Sequence, residues 1–347
     1  MNLRKYRLFG GRIVKTGVAV FLTALICQFL GWPSEFAVIT AIVTIEPTAA
    51  DSIKKGMIRF PASALGAGFA VLFTYLLGDA PLTYALAAVA TILLTHKLHL
   101  DEGMLVATLT AVAMIPATQD HYVVSYFTRL GTTSIGLIVS SLVNFFVLPP
   151  HYSIKIGHNL DSLYQQCGEL LQKRMKSVLH ENAKNSTTAR LIQKIQKELD
   201  RTDILCQYQR EEWKFHRHTK VELNIFQLKQ KQLLILRQIL YHIGNLVYLE
   251  ERRILWTDKQ KTLIQMASTS LATSLSDPTL SLTDEHYQLM RKLAEEFWHM
   301  NESLHQQKPK EYASMFSPEA IILYELLSIQ ELIEEHGQSQ QPTVVIP

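Results

Sequence analysis

Two arginines, Arg59 and Arg129, have the type and position best suited to bind a charged ligand in this sequence. Each lies beside an apolar stretch, and a charge within hydrocarbon costs at least about 2.5–3.5 kcal/mol. Such an arginine either extends to the membrane surface or lines a wet path, where its forked guanidinium matches a carboxylate. The pair therefore indicates contact with an organic anion. The alternative is that the two residues only anchor the topology.

The two arginines are 70 residues apart, and a repeat of the same spacing runs through the first 150 residues. Thr40-Ala41 recurs as Thr110-Ala111, and Gly66 recurs as Gly136. Each copy holds three apolar segments, so the second copy would enter a membrane from the opposite side. This pattern is typical of transporters and channels built from inverted repeats.

Six apolar segments predict an all-α transmembrane transport domain over residues 1–150. The second and fifth are shorter than the roughly 20 residues that a spanning helix needs. Both end in a proline, and interrupted segments at matching positions indicate a transport site. The six segments are 13–30, 35–48, 58–77, 81–97, 103–118 and 129–149.

The predicted substrate path follows these interruptions and the small residues after each arginine. Close packing of helices is the alternative role for the glycines. Glu46 is a candidate for proton coupling, because a carboxylate in apolar surroundings takes up a proton more readily; the alternative is a pair with Lys54 or Lys55. The residues predicted to border the path are Arg59, Arg129, Thr40, Thr44, Thr110, Pro47, Pro116, Gly66 and Gly136.

The orientation follows from the distribution of basic residues. Lysines and arginines cluster before the first span and recur in every second loop, which places these segments in the cytoplasm. An even number of crossings then returns the chain to the same side, so both termini are predicted to be cytoplasmic. The basic residues concerned are Arg4, Lys5, Arg7, Arg12, Lys15, Lys54, Lys55 and Lys97.

The composition changes at Pro149-Pro150. Beyond it, apolar residues recur at helical spacing and predict a cytoplasmic antiparallel helical bundle over 151–336, with a flexible tail over 337–347. Ten of the 34 lysines and arginines and seven of the 31 acidic residues precede residue 151, so the C-terminal half is close to neutral. That balance gives no reason to expect a nucleic acid partner. The helices are predicted at 151–181, 187–214, 219–256, 258–275, 282–307 and 318–336.

Residues suited to catalysis are grouped at one place in this half. Glu211, Glu212, His216 and His218 surround a predicted helix break and could form a metal or acid/base site. A solvated polar turn explains them equally simply, and this is the interpretation adopted. The three cysteines are widely spaced, and the sequence has no phosphate-binding glycine loop. We therefore expect no enzyme activity, metal or cofactor.

Residues 32–73 and 128–150 resemble the aromatic acid exporter family of bacterial inner-membrane proteins, within the fusaric-acid-resistance-like superfamily. The resemblance is carried by Thr40-Ala41, Pro47-Thr48 and an arginine followed by small residues, Arg59 to Gly66. The helical half is similar to the C-terminal domain of the family's Gram-positive branch.

The resemblance implies a multi-pass protein of the bacterial plasma membrane that exports small organic, including aromatic, carboxylate anions. Plant malate channels are distant kin with a dimeric pore, and this chain holds a single membrane half. The resemblance therefore also implies a homodimer or a higher homo-oligomer in the lipid bilayer. The alternative is a membrane-anchored interaction or sensor module that acts through its helical domain.

Overall fold

The computed structural model describes residues 10–118, 121–148, 150–180, 186–249, 256–277, 282–307 and 317–340. Over these residues the chain forms twelve α-helices and one 3₁₀ turn, with no strand. The all-α class predicted from the sequence is therefore confirmed. The predicted basic residues Arg4, Lys5 and Arg7, the boundary residue Pro149 and the end of the tail, 341–347, lie outside the described residues.

The chain forms two compact units. Unit 1 consists of residues 1–151 together with 208–217, and unit 2 consists of 152–207 together with 218–347. The described helices of unit 1 are α1 (Gly11–Leu30), α2 (Glu35–Thr44), α3 (Ala49–Leu77), α4 (Pro81–Lys97), α5 (Asp101–Met114) and α6 (Tyr122–Phe146). Of the described helices, α1, α3 and α6 are long and apolar enough to cross a membrane, and α2 is a shorter apolar helix.

Of these six helices, only α4 has its predicted bounds. Helix α1 begins at Gly11 instead of 13, α2 ends at Thr44 instead of 48, and α6 runs from Tyr122 to Phe146 instead of from 129 to 149. For α3 and α5, the physical reasons for the difference lie at the helix ends. Helix α3 begins at Ala49, well before the predicted start at 58, because Thr48 Oγ1 accepts a hydrogen bond from the Asp51 N–H and caps the helix (3.0 Å). Helix α5 ends at Met114 and continues as the 3₁₀ turn Ile115–Thr118. Pro116, inside that turn, has no N–H to extend an α-helix.

The distribution of side chains in unit 1 is the reverse of that in a water-soluble protein. The buried face of α1 carries Lys15, Ala19, Thr23 and Cys27, which are small or polar, whereas Phe29 on its outer face is 92% exposed. Helix α4 has the same pattern, with threonines and an alanine inside and large aliphatic residues outside. Small residues inside and large apolar residues outside suit a protein surrounded by lipid.

Glycines let the helices of unit 1 approach closely at two points. A Cβ atom added to Gly66 on α3 would overlap the backbone of Ala107 on α5, and one added to Gly136 on α6 would overlap the backbone of Ala37 on α2. The packing role that the sequence allowed for these glycines is therefore present. Ala37 and Ala107 are 70 residues apart, as are the glycines, so the two contacts join corresponding positions of the repeat.

Unit 2 contains the remaining helices, except that the end of the second of them, from residue 208 onward, belongs to unit 1. Helix α7 packs against α9 and α10, α12 packs against α9, α10 and α11, and α10 also packs against α11. The core is aliphatic and includes Leu160, Leu163, Leu170 and Leu171 of α7. The helices are α7 (Tyr152–His180), α8 (Ser186–Trp213), α9 (Lys220–Tyr248), α10 (Asp258–Ser276), α11 (Asp284–Gln307) and α12 (Pro318–Gln340).

The last helix is longer than the sequence predicts. Helix α12 ends at Gln340, so the first residues of the predicted flexible tail, from Gly337 onward, are helical. Gln338, Ser339 and Gln340 are compatible with a helix, and Pro342 is the first residue that a helix cannot accept in its interior. Buried polar contacts join α12 to its neighbours, among them His286 Nε2 to Gln330 Oε1 (2.6 Å) and Tyr164 Oη to His336 Nδ1 (3.1 Å).

Replacing Gly66 with alanine should destabilise the protein, because the added methyl group would overlap the Ala107 backbone. Overpacking of this kind costs about 1–3 kcal/mol. Gly68→Ala is the matched control, since an added Cβ there meets only Tyr126 at 4.0 Å. We expect a lower melting temperature in detergent for Gly66→Ala and an unchanged or higher one for Gly68→Ala. Equal melting temperatures would contradict the close approach of α3 and α5.

The protein should lose stability as the pH falls from about 7 to about 4. Burial, and then the neighbouring Lys231, lowers the pKa of His336 to about 4, from 6.5. In this interval the unfolded chain therefore binds a proton that the folded chain does not, which favours unfolding by up to about 3 kcal/mol. His336→Phe should flatten the pH dependence of the melting temperature, whereas His158→Phe, at an exposed position, should leave it intact. If the melting temperature of His336→Phe still falls with pH as steeply as that of the unaltered protein, other titratable groups cause the effect.

Candidate functional site

The chain between α2 and α3 is irregular, and buried side chains bind its backbone. Ser52 Oγ donates to the Thr44 carbonyl (2.8 Å). Asn144 Nδ2, on α6, lies within hydrogen-bond distance of the carbonyl oxygens of Glu46 (3.1 Å) and Thr48 (3.0 Å) and of Ser52 Oγ (2.7 Å). Lys15 Nζ, on α1, donates to Asn144 Oδ1 (2.7 Å). Non-helical backbone at membrane depth requires this kind of internal satisfaction.

Arg59 lies beside this linker, and each of its nitrogen atoms has a partner. The residue is 7% exposed. Nη2 pairs with Glu46 Oε1 (2.8 Å), Nη1 donates to the Val43 carbonyl (3.1 Å), and Nε donates to the Glu102 carbonyl (3.3 Å). Lys55 Nζ lies 3.3 Å from the second oxygen of Glu46, as one of the sequence alternatives proposed. The charge of Arg59 is therefore balanced within the protein.

The Arg59–Glu46 pair was not foreseen from the sequence. The two residues are 13 positions apart, on opposite sides of a proline-containing linker. Helical spacing gives no information across such a break, because the direction of the chain changes there. The apolar neighbourhood of Glu46 singled it out as functional but did not identify its partner.

Arg129 occupies the corresponding position of the second repeat, but its surroundings differ. It is 6% exposed, Nη2 donates to Thr110 Oγ1 (2.6 Å), and the guanidinium carbon lies 3.8 Å from the centre of the Phe36 ring. Nε and Nη1 are buried and have no hydrogen-bond partner within the described part of the chain. A buried cation with unused donors is costly unless a ligand completes it.

Two further side chains extend this candidate site. Thr110 Oγ1 lies 3.2 Å from Ser63 Oγ, so hydroxyl groups from α3 and α5 meet beside Arg129 of α6. Thr133 lies one turn after Arg129 on the same face of α6, and its buried hydroxyl also finds no partner among the described residues. Guanidinium and hydroxyl donors around one position are suited to a carboxylate.

The other residues of the predicted path have different surroundings. Thr40 Oγ1 donates to the Phe36 carbonyl (2.8 Å) and Thr44 Oγ1 to the Thr40 carbonyl (2.7 Å), so both hydroxyls are bonded within α2. The side chain of Pro116 is exposed, and that of Pro47 is partly buried. The structure thus brings Arg129 to Thr110 and Arg59 to Glu46, while Thr40 and Thr44 bond within their own helix.

The segment 208–217 belongs to unit 1, and the sequence-based interpretation of it as a solvated turn is wrong for Glu212. This residue is 2% exposed, and its Oε1 accepts a hydrogen bond from the Ala49 N–H at the start of α3 (2.9 Å). His216 Nδ1 lies 3.1 Å from Glu212 Oε2. The interacting residues are 163 positions apart, so local sequence could not predict the contact. Among the described residues, no cluster of histidine, cysteine or acidic side chains could hold a metal.

Comparison with known proteins places these observations in a family. Residues 7–147 match the model of aromatic acid exporter family member 1. A UPF0421 protein of Bacillus cereus (strain ATCC 10987 / NRS 248) is 45% identical over 97% of this chain and 95% of its own length. UPF0421 proteins of Oceanobacillus iheyensis and Staphylococcus aureus (strain Mu50) are 41% and 36% identical, over 97% and 96% of this chain and 96% and 99% of their own lengths. The chain therefore belongs to the UPF0421 family, and residues 7–147 of it are similar to the aromatic acid exporter family.

Proposed function

We propose that this protein is an integral membrane transporter or channel that exports small organic carboxylate anions. The observation that carries the proposal is Arg129, a buried guanidinium whose Nε and Nη1 have no hydrogen-bond partner among the described residues. Nε–H and Nη1–H point to different edges of the planar guanidinium, and each can donate a charge-assisted hydrogen bond to a carboxylate oxygen. The similarity to an exporter family supports a role in transport. The description of that family as aromatic acid exporters supports aromatic acids as the organic carboxylates concerned.

The path in this proposal runs where α2 and α5 end. Helix α2 has ten residues and α5 has 14, which corresponds to about 15 Å and 21 Å, against a hydrocarbon core of about 30 Å. Six helices cross the membrane as two inverted triplets, α1–α3 and α4–α6. The equivalent glycine contacts of α3 with α5 and of α6 with α2 support this arrangement. Arg59 and Arg129 then lie toward opposite ends of the path.

Glu46 is the coupling residue of the proposal. Its carboxylate occupies Arg59 and so prevents an anion from binding there. A proton on Glu46 removes that charge and frees Arg59, so protonation of Glu46 favours binding of an anion at Arg59. Lys55 contacts Glu46 and also lies 3.7 Å from Glu102, so it retains an acidic partner when Glu46 is protonated.

The membrane and assembly assignments complete the proposal. The protein lies in the bacterial plasma membrane with both termini in the cytoplasm, as the lysines of the predicted inner loops indicate. It acts as a homodimer, as its resemblance to the exporter family implies. The large apolar side chains exposed on α1 and α4 contact lipid or the second subunit.

Arg129→Gln should reduce anion efflux from proteoliposomes at least about tenfold, since a charge-assisted contact is lost. Arg12→Gln is the matched control, because Arg12 is exposed at the start of α1. Flux of benzoate-type and dicarboxylic acids is measured with a fluorescent anion reporter. Equal rates for the two variants would remove Arg129 from the path. Absence of any flux in the unaltered protein would instead favour the membrane-anchored sensor alternative.

Glu46→Gln should abolish the stimulation of anion flux by an imposed pH gradient, because the side chain can no longer exchange a proton. It should also raise the basal flux, because Arg59 is no longer held by a carboxylate. Glu35→Gln, at an exposed position near the start of α2, serves as the control. Flux is measured with and without the gradient. A gradient effect that persists in Glu46→Gln would assign proton coupling to another residue.

A further inference from the structure

The end of α8 and the turn after it, residues 208–217, belong to unit 1 although α8 begins in unit 2. We name these residues the clamp segment. Glu212 of the clamp segment is as well buried as the core of a soluble protein, at 2% exposure. Burial of a charged carboxylate costs free energy, because the group loses its hydrating water. Such a group is therefore found buried only where specific partners compensate for that loss.

The first partner is the N-terminus of α3. Glu212 Oε1 accepts the Ala49 N–H (2.9 Å), which is one of the amide groups that a helix cannot satisfy by itself. A negative charge is also favourable at this end of the helix dipole. Lys15 of α1 lies close enough to attract Glu212 electrostatically. Glu212 therefore fixes the start of the helix that carries Arg59.

The second partner is the C-terminus of α6. His216 Nε2 lies 3.2 Å from the carbonyl oxygen of Phe145, in the last turn of α6, and the imidazole stacks on the Phe145 ring with 4.9 Å between centroids. That carbonyl belongs to the group that α6 cannot satisfy internally. Asn144, the residue before Phe145, binds the linker that carries Glu46. The clamp segment therefore joins α3 and α6 at the end where Glu46 holds Arg59.

We propose that the clamp segment is an autoinhibitory restraint that holds α3 and α6 together at this end and must be released for the path to open. Helices α3 and α6 occupy corresponding positions of the two repeats, and the clamp segment contacts one end of each. Because the clamp segment is continuous with α8, a change in that helix reaches the two arginine-bearing helices without an intermediate element. The inference rests on the proposed function only in assigning α3 and α6 to the path.

The test compares Glu212→Ala with Glu211→Ala in the full chain. Glu211 is the adjacent residue, is partly exposed and pairs with Lys214 (2.6 Å), so its loss is the matched control. Hydrogen exchange of a peptide that spans the first turn of α3 should be about fivefold faster in Glu212→Ala and unchanged in Glu211→Ala. Equal exchange in the two variants would overturn the clamp.

A second measurement reports directly whether the proposed path opens. Ser63→Cys places a thiol at a position with 0% exposure beside Thr110. In proteoliposomes, a membrane-impermeant maleimide should label position 63 several-fold faster when Glu212→Ala is added, and no faster when Glu211→Ala is added, as measured by mass spectrometry of the peptide. Faster exchange at α3 without faster labelling would show a structural cap and overturn the restraint.

A gentler pair of variants covers the case in which Glu212→Ala does not fold. His216→Leu removes the bond to the Phe145 carbonyl, and His218→Leu alters an exposed neighbour. The same difference in labelling is expected, and its absence overturns the proposal. Neither readout needs a substrate. Release of the clamp in a protein that moves no anion would overturn the proposed function alone, and anion transport that is equally fast with the clamp intact and released would overturn this inference alone.

Discussion

The structure of unit 1 depends on the cost of enclosing guanidinium groups among membrane helices. Arg59 and Arg129 are both more than nine-tenths buried, and a charge so placed must be matched by carboxylates, carbonyl groups or a ligand. The broken end of α2 supplies the Val43 carbonyl and Glu46 to Arg59. Arg129 receives one hydroxyl and one aromatic ring. Arg59 thus has a hydrogen-bond partner for each of its nitrogen atoms, whereas Arg129 keeps donors without a partner among the described residues, and these donors are what a ligand could bind.

A second constraint is the treatment of free backbone groups where helices stop. The linker between α2 and α3 would be untenable in hydrocarbon without Asn144, whose amide group lies against two of its carbonyl oxygens. The clamp segment supplies the remaining cap at Ala49. The ends of three helices are thus completed by side chains from distant parts of the sequence, so the region behaves as one hydrogen-bonded body.

Much of the fold could be predicted from the sequence, because helices depend on local patterns. The bounds of α4 agree with prediction, and those of α7 and α8 agree within a residue or so. The early start of α3 was missed, because the capping residue Thr48 and the polar first turn of the helix have the low hydropathy that is typical of a loop. In the site, the repeat identified both arginines. It could not reveal Glu46 opposite Arg59 or Glu212 beneath α3, since these contacts depend on how the chain turns between elements.

The repeat is imperfect at one chemically important place. Glu46 follows the first short helix, and the residue 70 positions later is Pro116, which carries no charge. An anion that crosses between the two arginines therefore meets a competing carboxylate at one end and none at the other. Under the proposed function, its energy profile differs with the direction of entry. The loss of symmetry at a single position would make such a passage rectify, favouring flow one way without any moving domain.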